Sequence, residues 1–120
     1  MIQAHYEKIQ EYLNMDEEIS YEEFRDYYQN VIDELDANAS RYEEEQVWKA
    51  LFITESIMSN AEDRQKRTKK KQESKKFGKM QERSRVYSQH FTKRLQEAGY
   101  SEEDINEQFE KMLEGSPGEA

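Results

Sequence analysis

Apolar residues recur every three or four positions along most of this 120-residue chain, the spacing of one face of an α-helix. Ile2, Tyr6, Ile9 and Leu13 form one such stripe and predict a first helix. The pattern loosens from Asn14 to Ile19. Ser20 followed by Glu23 is a capping box, in which each side chain satisfies a backbone donor of the first turn. The second helix that it opens carries Phe24, Tyr27, Tyr28, Val31, Ile32 and Leu35 on one side and closes at Asn38 and Ala39. Ser40 and Glu43 read as another capping box, with Tyr42 beginning a third helix. That helix holds the densest apolar segment, Val47 to Ile53, continued by Ile57, Met58 and Ala61. Its apolar residues cover two adjacent faces, so neighbours are expected on both sides. It is the predicted centre of the core.

From Glu62 to Lys76 there is no apolar residue. A helix there would have no apolar face to bury and would be a solvated continuation of the third helix; the alternative is a flexible connector. Glu, Lys, Arg and Gln favour helix, while the like charges of Lys66, Arg67, Lys69, Lys70 and Lys71 oppose it. The balance predicts helix, fraying towards Gly78. Met80, Tyr87, Phe91, Leu95 and Ala98 then mark a fourth helix, with Val86 beside the stripe and Gly99 as its C-cap. Ser101 with Asp104 is a further start signal, and Ile105, Phe109, Met112 and Leu113 line a short fifth helix. No segment alternates with the two-residue period of a strand. The expected fold class is all-α: a small bundle of four to five helices with a long central helix and a basic segment able to protrude. The expected organisation is an acidic helical core at 1–61, a basic connector or solvated helix extension at 62–79, a C-terminal helical pair at 80–114 and a disordered tail at 115–120.

Composition thins this core. Only 34% of the residues are hydrophobic and 38% are charged, a low and a high share for a globular domain. Fourteen residues are aromatic, eight of them tyrosines, whose large rings and hydroxyls suit a wet boundary. Cysteine is absent, which excludes disulfides and thiolate chemistry. The N-terminal residues Met1 to Glu7 lack the basic start and apolar stretch of a signal peptide. The longest apolar run, Ala50 to Ile53, is far short of a membrane span. A cytoplasmic protein with no membrane partner is the expectation.

Charge is sorted along the chain. Residues 1–63 carry 17 acidic and 4 basic side chains, residues 64–95 carry 2 and 13, and residues 96–120 carry 8 and 1. An acid–base–acid layout points to an interaction protein more than to a catalyst. His5 and His90 lie near opposite ends of the chain, and no nucleophilic triad, phosphate loop or histidine pair at metal spacing is present. Adjacent carboxylates such as Glu22 and Glu23 diverge by about 100° on a helix. No enzyme activity, cofactor or metal site is expected.

Two surfaces are candidates for contact. Tyr21, Glu22, Glu23, Asp26, Tyr27 and Tyr28 set rings beside carboxylates on the second helix, with the tyrosines as anchors for a protein partner. The bland alternative is that Phe24, Tyr28, Val31 and Leu35 merely face the core, with Tyr21 or Tyr27 still partly exposed. Arg64, Lys66, Arg67, Lys69, Lys70, Lys71, Lys75, Lys76 and Lys79 form a basic patch dense enough for phosphates, with Phe77 and Tyr87 as rings for stacking on bases. Its bland alternative is a solvated helix, or one paired with the protein's own acidic face. The net charge of −9 disfavours a nucleic-acid binder, although a helical nucleic-acid or ribosome-associated factor using residues 64–95 stays open. The turn Ala98-Gly99-Tyr100-Ser101 resembles the one that begins a helix in ubiquitin-associated domains, and an ordinary interhelical turn explains it equally well.

In length, acidity, lack of cysteine and crowded tyrosines, the whole chain resembles small phage-encoded inhibitors of bacterial immunity. It is most similar to the type that blocks the defence-associated sirtuin, an NAD-depleting enzyme. The resemblance rests on no motif, and no functional residue carries over. It implies a non-enzymatic module in the host bacterial cytoplasm that binds a larger defence protein and prevents its activation. The oligomeric state stays open.

Overall fold

The start signals at Ser20 and Ser101 both open helices. The Glu23 amide donates to Ser20 Oγ at 3.1 Å, and Ser101 and Asp104 exchange reciprocal bonds of 3.1 and 2.9 Å. The computed structural model describes residues 2–114, and the tail predicted at 115–120 lies outside the described residues. Helices α1 (Ile2–Leu13), α2 (Tyr21–Asn38), α3 (Glu44–Arg67), α4 (Lys71–Glu97) and α5 (Glu102–Glu114) follow one another. The fold is all-α, with no strand among the described residues.

The long helices α3 and α4 pair antiparallel across the turn at Thr68 to Lys70. At that end Gln65 Nε2 donates to the Ser74 carbonyl at 2.9 Å, and Gln81 Nε2 donates to Gln65 Oε1 at 2.7 Å. The basic stretch is therefore helix on both sides of a short turn, with most of its side chains exposed. Gly78, where fraying was expected, lies inside α4, close enough to Gln65 that a Cβ would meet its amide nitrogen at 3.1 Å. Two side chains supply the burial that the polar sequence did not advertise. Arg64 is only 6% exposed, and Phe77 seats between the rings of Tyr21 and Phe24.

The buried stripe of α4 is Phe77, Met80, Ser84, Ser88, Phe91 and Leu95. The two serines take core positions that the sequence reading left out, while Ala98 is exposed and Tyr87 is half-buried. Their small size admits α3 closely. Ser88 Oγ and Thr54 Oγ1 share a hydrogen bond of 2.7 Å across the interface, and Thr54 also bonds the Leu51 carbonyl. Ser84 Oγ is buried with no hydrogen-bond partner among the described residues. Removing a buried, unpaired hydroxyl relieves its desolvation cost, and alanine is the better helix former. Ser84→Ala is therefore expected to raise stability by about 0.5–1 kcal/mol, read as a higher denaturation midpoint.

At the other end, Arg94 donates to the carbonyls of Ala39 and Tyr42 at 3.0 and 2.6 Å. This holds a 3-10 turn at Ala39–Arg41, so Ser40 is not a helix cap. α3 starts later than predicted, at Glu44, with the Glu43 amide bonded to Gln46 Oε1 at 2.9 Å. Helix α1 lies on α2 and α3, and the α5 ring of Phe109 meets Phe52 of α3 edge-on at 5.8 Å.

Candidate functional site

The six residues proposed on α2 separate by helical angle. Glu22, Glu23 and Asp26 point to solvent, and Asp26 pairs with Arg25 at 3.2 Å. Tyr27 is 5% exposed and donates its hydroxyl to the His5 carbonyl at 2.6 Å, its ring edge-on to Tyr12 and His5. It is a core residue and cannot anchor a partner in this fold, because α1 covers it. Tyr28 is half-buried on the α4 side, near Arg83 and Asp36. Tyr21 is half-buried at the start of α2, its ring edge-on to Phe77 and under the Arg25 guanidinium. Its hydroxyl is buried without a hydrogen-bond partner among the described residues.

The buried phenols have a measurable consequence. Burial, and beside it the Glu34 carboxylate, pushes Tyr42 far above its usual value; burial alone does most of the same for Tyr27. Burial also raises Tyr12 and Tyr87 to about 12, helped by the neighbouring carboxylates of Glu23 and Asp36. A phenol with a raised folded pKa adds stability that is complete below its unfolded value and is lost as pH rises through the folded one. Stability is therefore expected to fall above about pH 10. Near-ultraviolet titration should show Tyr27 and Tyr42 ionising only in the cooperative unfolding step.

The basic set also divides. Arg64 is in the core: Nη2 donates to the Ile19 carbonyl and Nε to Asn60 Oδ1, each at 2.8 Å, and the guanidinium lies 4.6 Å from the Phe24 ring centre. Burial lowers its pKa, opposed by Glu18. Lys66 pairs with Glu62, Arg67 with Glu18 and Asp63, and Lys70 with Glu73. Lys69, Lys71, Lys75, Lys76 and Lys79 are exposed, with no ion pair among the described residues. Phe77 is 2% exposed and closed to bases. Tyr87 stacks on Phe91 at 5.9 Å and hydrogen-bonds Asp36, which also takes Arg83 at 2.9 Å. Those donors, Tyr87 first, hold the Asp36 carboxyl below its usual range.

Tertiary structure joins parts of the two candidate surfaces. Tyr21 and Glu22 from α2, Lys70 from the turn, and Lys71, Glu73 and Lys76 from α4 line one shallow hollow at an end of the bundle. Lys70 and Lys71 stand at the N-terminus of α4, where Lys70 provides no side-chain cap. Cations there oppose the helix dipole by about 0.3–1 kcal/mol each, so the cluster sits against local stability. The hollow offers a ring, carboxylates and ammonium groups within one patch. Among the described residues, no group of three or more histidine or carboxylate side chains is placed to hold a metal ion, and no helix is long and apolar enough to cross a membrane.

A second hollow, between α1, α3 and α5, was not foreseen. Its signal in the sequence is the run of small and polar residues on one side of α3, Ser56, Ser59 and Asn60, opposite the apolar face. The chain matches no protein-family model, no curated protein and no solved structure.

Proposed function

We propose that this chain is a non-enzymatic module that binds a larger protein through the mixed-charge end of the bundle. The observation that carries this reading is the convergence of Tyr21 and Glu22 with Lys70, Lys71 and Lys76 in one hollow. A polyanion laid on the lysines would meet Glu22 and Glu73 at once, and like charges in contact repel. A protein surface carrying both signs satisfies all of these groups and gains contact area from the tyrosine. The burial of Phe77 weighs the same way, since it removes one of the two rings offered for stacking on bases.

The finer reading is an inhibitor of bacterial immunity that occupies an NAD-depleting, sirtuin-type defence enzyme and keeps it from activation. Its support is the resemblance in length, acidity and tyrosine content. Inhibition of this kind needs only preferential binding to the inactive state. Titrating the full chain into the purified enzyme with its activator should stop NAD loss at a fixed molar ratio, with affinity falling as salt rises. Combined reversal of Lys70, Lys71 and Lys76 to glutamate should weaken binding at least tenfold without loss of helical signal. Nuclease-sensitive binding, or substoichiometric turnover by the chain itself, would overturn the proposal.

A further inference from the structure

The groove between α1, α3 and α5 is floored by one stripe of α3 that includes Phe52, Glu55, Ser59 and Asp63, and it is walled by Leu13 and Leu113. Those two leucines are 46% and 58% exposed, among the few large apolar side chains left open to solvent. The stripe runs for about three helical turns, roughly 16 Å at 1.5 Å per residue. Among the described residues that line the groove there is no cation. Asp63 is engaged by Arg67 at 3.0 Å, whereas Glu55 is half-buried with no hydrogen bond or ion pair among the described residues. Burial pushes its carboxyl above the usual range. A carboxylate drawn from water without a partner is destabilising, and a cation brought to it from outside relieves that cost. On α5, Glu107, Glu110 and Glu114 are exposed and extend the negative field beside the groove.

We propose that this groove receives an amphipathic helix of a partner protein, about three turns long, with aliphatic side chains between Leu13 and Leu113 and a lysine or arginine against Glu55. Charge selects this occupant: a trough with leucine walls, whose floor carries a Glu55 carboxylate unpaired among the described residues, rejects an acidic helix and leaves a neutral one without an ion pair. The small Ser59 on the floor lets a helix approach closely. The inference rests on the protein-binding reading for the existence of a partner, but it concerns a different face.

The test uses two synthetic amphipathic helical peptides with the same leucine face, one with a lysine at its border and one with glutamine there. Each is titrated into the full chain, with amide shifts and anisotropy recorded. The lysine peptide should bind about tenfold more tightly, equivalent to about 1.4 kcal/mol, and shift Leu13, Ser59 and Leu113. Glu55→Gln should abolish that advantage, while Glu110→Gln, which removes the same charge from the outer face, should preserve it. Circular dichroism of both variants checks that they fold. Equal affinity for the two peptides, binding of neither, an advantage that survives E55Q, or shifts centred on Lys71 to Lys79 would each overturn the proposal. So would a dimer dissociated by Leu113→Asp, which would assign the groove to a second copy. Failure here leaves the Tyr21–Lys76 reading intact, because no residue of that hollow is altered.

Discussion

Replacing Phe52 with alanine is expected to lower stability by about 3–5 kcal/mol, the cost of removing a buried aromatic ring and leaving its cavity. Phe52 is 2% exposed, and the rings of Tyr6 and Phe109 meet it edge-on at 5.6 and 5.8 Å. These contacts bring α1, α3 and α5 to one point, and such pairs add about 0.5–1.5 kcal/mol beyond area burial. Against a total of roughly 5–15 kcal/mol, much of the population could unfold. Loosening should begin at the two short helices, because α5 buries only Ile105 and Met112 and α1 only Ile2, Ile9 and Gln10. Hydrogen exchange should therefore accelerate in α1 and α5 before α3 and α4, which share the longest interface. Phe52→Leu should cost less than half as much. A denaturation midpoint for F52A close to that of the parent would show that the three helices do not depend on this ring.

Arg64→Ala is expected to cost about 3 kcal/mol, although the position falls in a stretch without a single apolar residue. The guanidinium donates to the Ile19 carbonyl and Asn60, lies over Phe24 and stands 3.6 Å from Glu18. Truncation leaves buried acceptors unpaired and a void beneath the α1–α2 connection, and each orphaned group carries its own penalty. Arg64→Met should fall between alanine and the parent, since it keeps the aliphatic stem and loses the donors. Arg64→Lys should also be destabilised, because an ammonium cannot reproduce the planar fork. Equal stability of R64A and the parent, measured by chemical denaturation, would mean that this cation is solvated and holds nothing together.

Arg64 also marks a limit of reading the chain in one dimension. A polar run from Glu62 to Lys76 reads as solvated because apolar periodicity is the main signal of burial. A long cationic stem can nevertheless enter the core if its head finds partners, and besides Asn60 on the same helix these are the Ile19 carbonyl and the Glu18 carboxylate, more than forty residues away. The pair Tyr27 and Tyr28 shows the same limit at finer grain. They flank the centre of the α2 stripe about 100° apart, so either could have faced inward. Packing of α1 on the Tyr27 side decides it, and a nominated anchor becomes a core residue. Ser84 and Ser88 fall outside the apolar stripe of their helix, yet small size is what the α3–α4 contact requires there. The basic patch is legible as charge, but its neutralisation is not: Arg67 meets Glu18 across the fold, while Lys71, Lys75 and Lys76 have no ion pair among the described residues.

The succession of five helices, the openings at Ser20 and Ser101, and the sorting of charge along the chain were determined by the sequence itself. Each depends on spacing within a few residues, where backbone hydrogen bonds and capping groups find their partners locally. Only the tertiary structure decided which tyrosines are core, that Arg64 is buried, that Tyr21 and Glu22 stand beside Lys70 and Lys71, and that α1 and α5 leave a groove over Glu55. These outcomes depend on which distant surfaces meet, and the free energy of a side chain follows its neighbours in space.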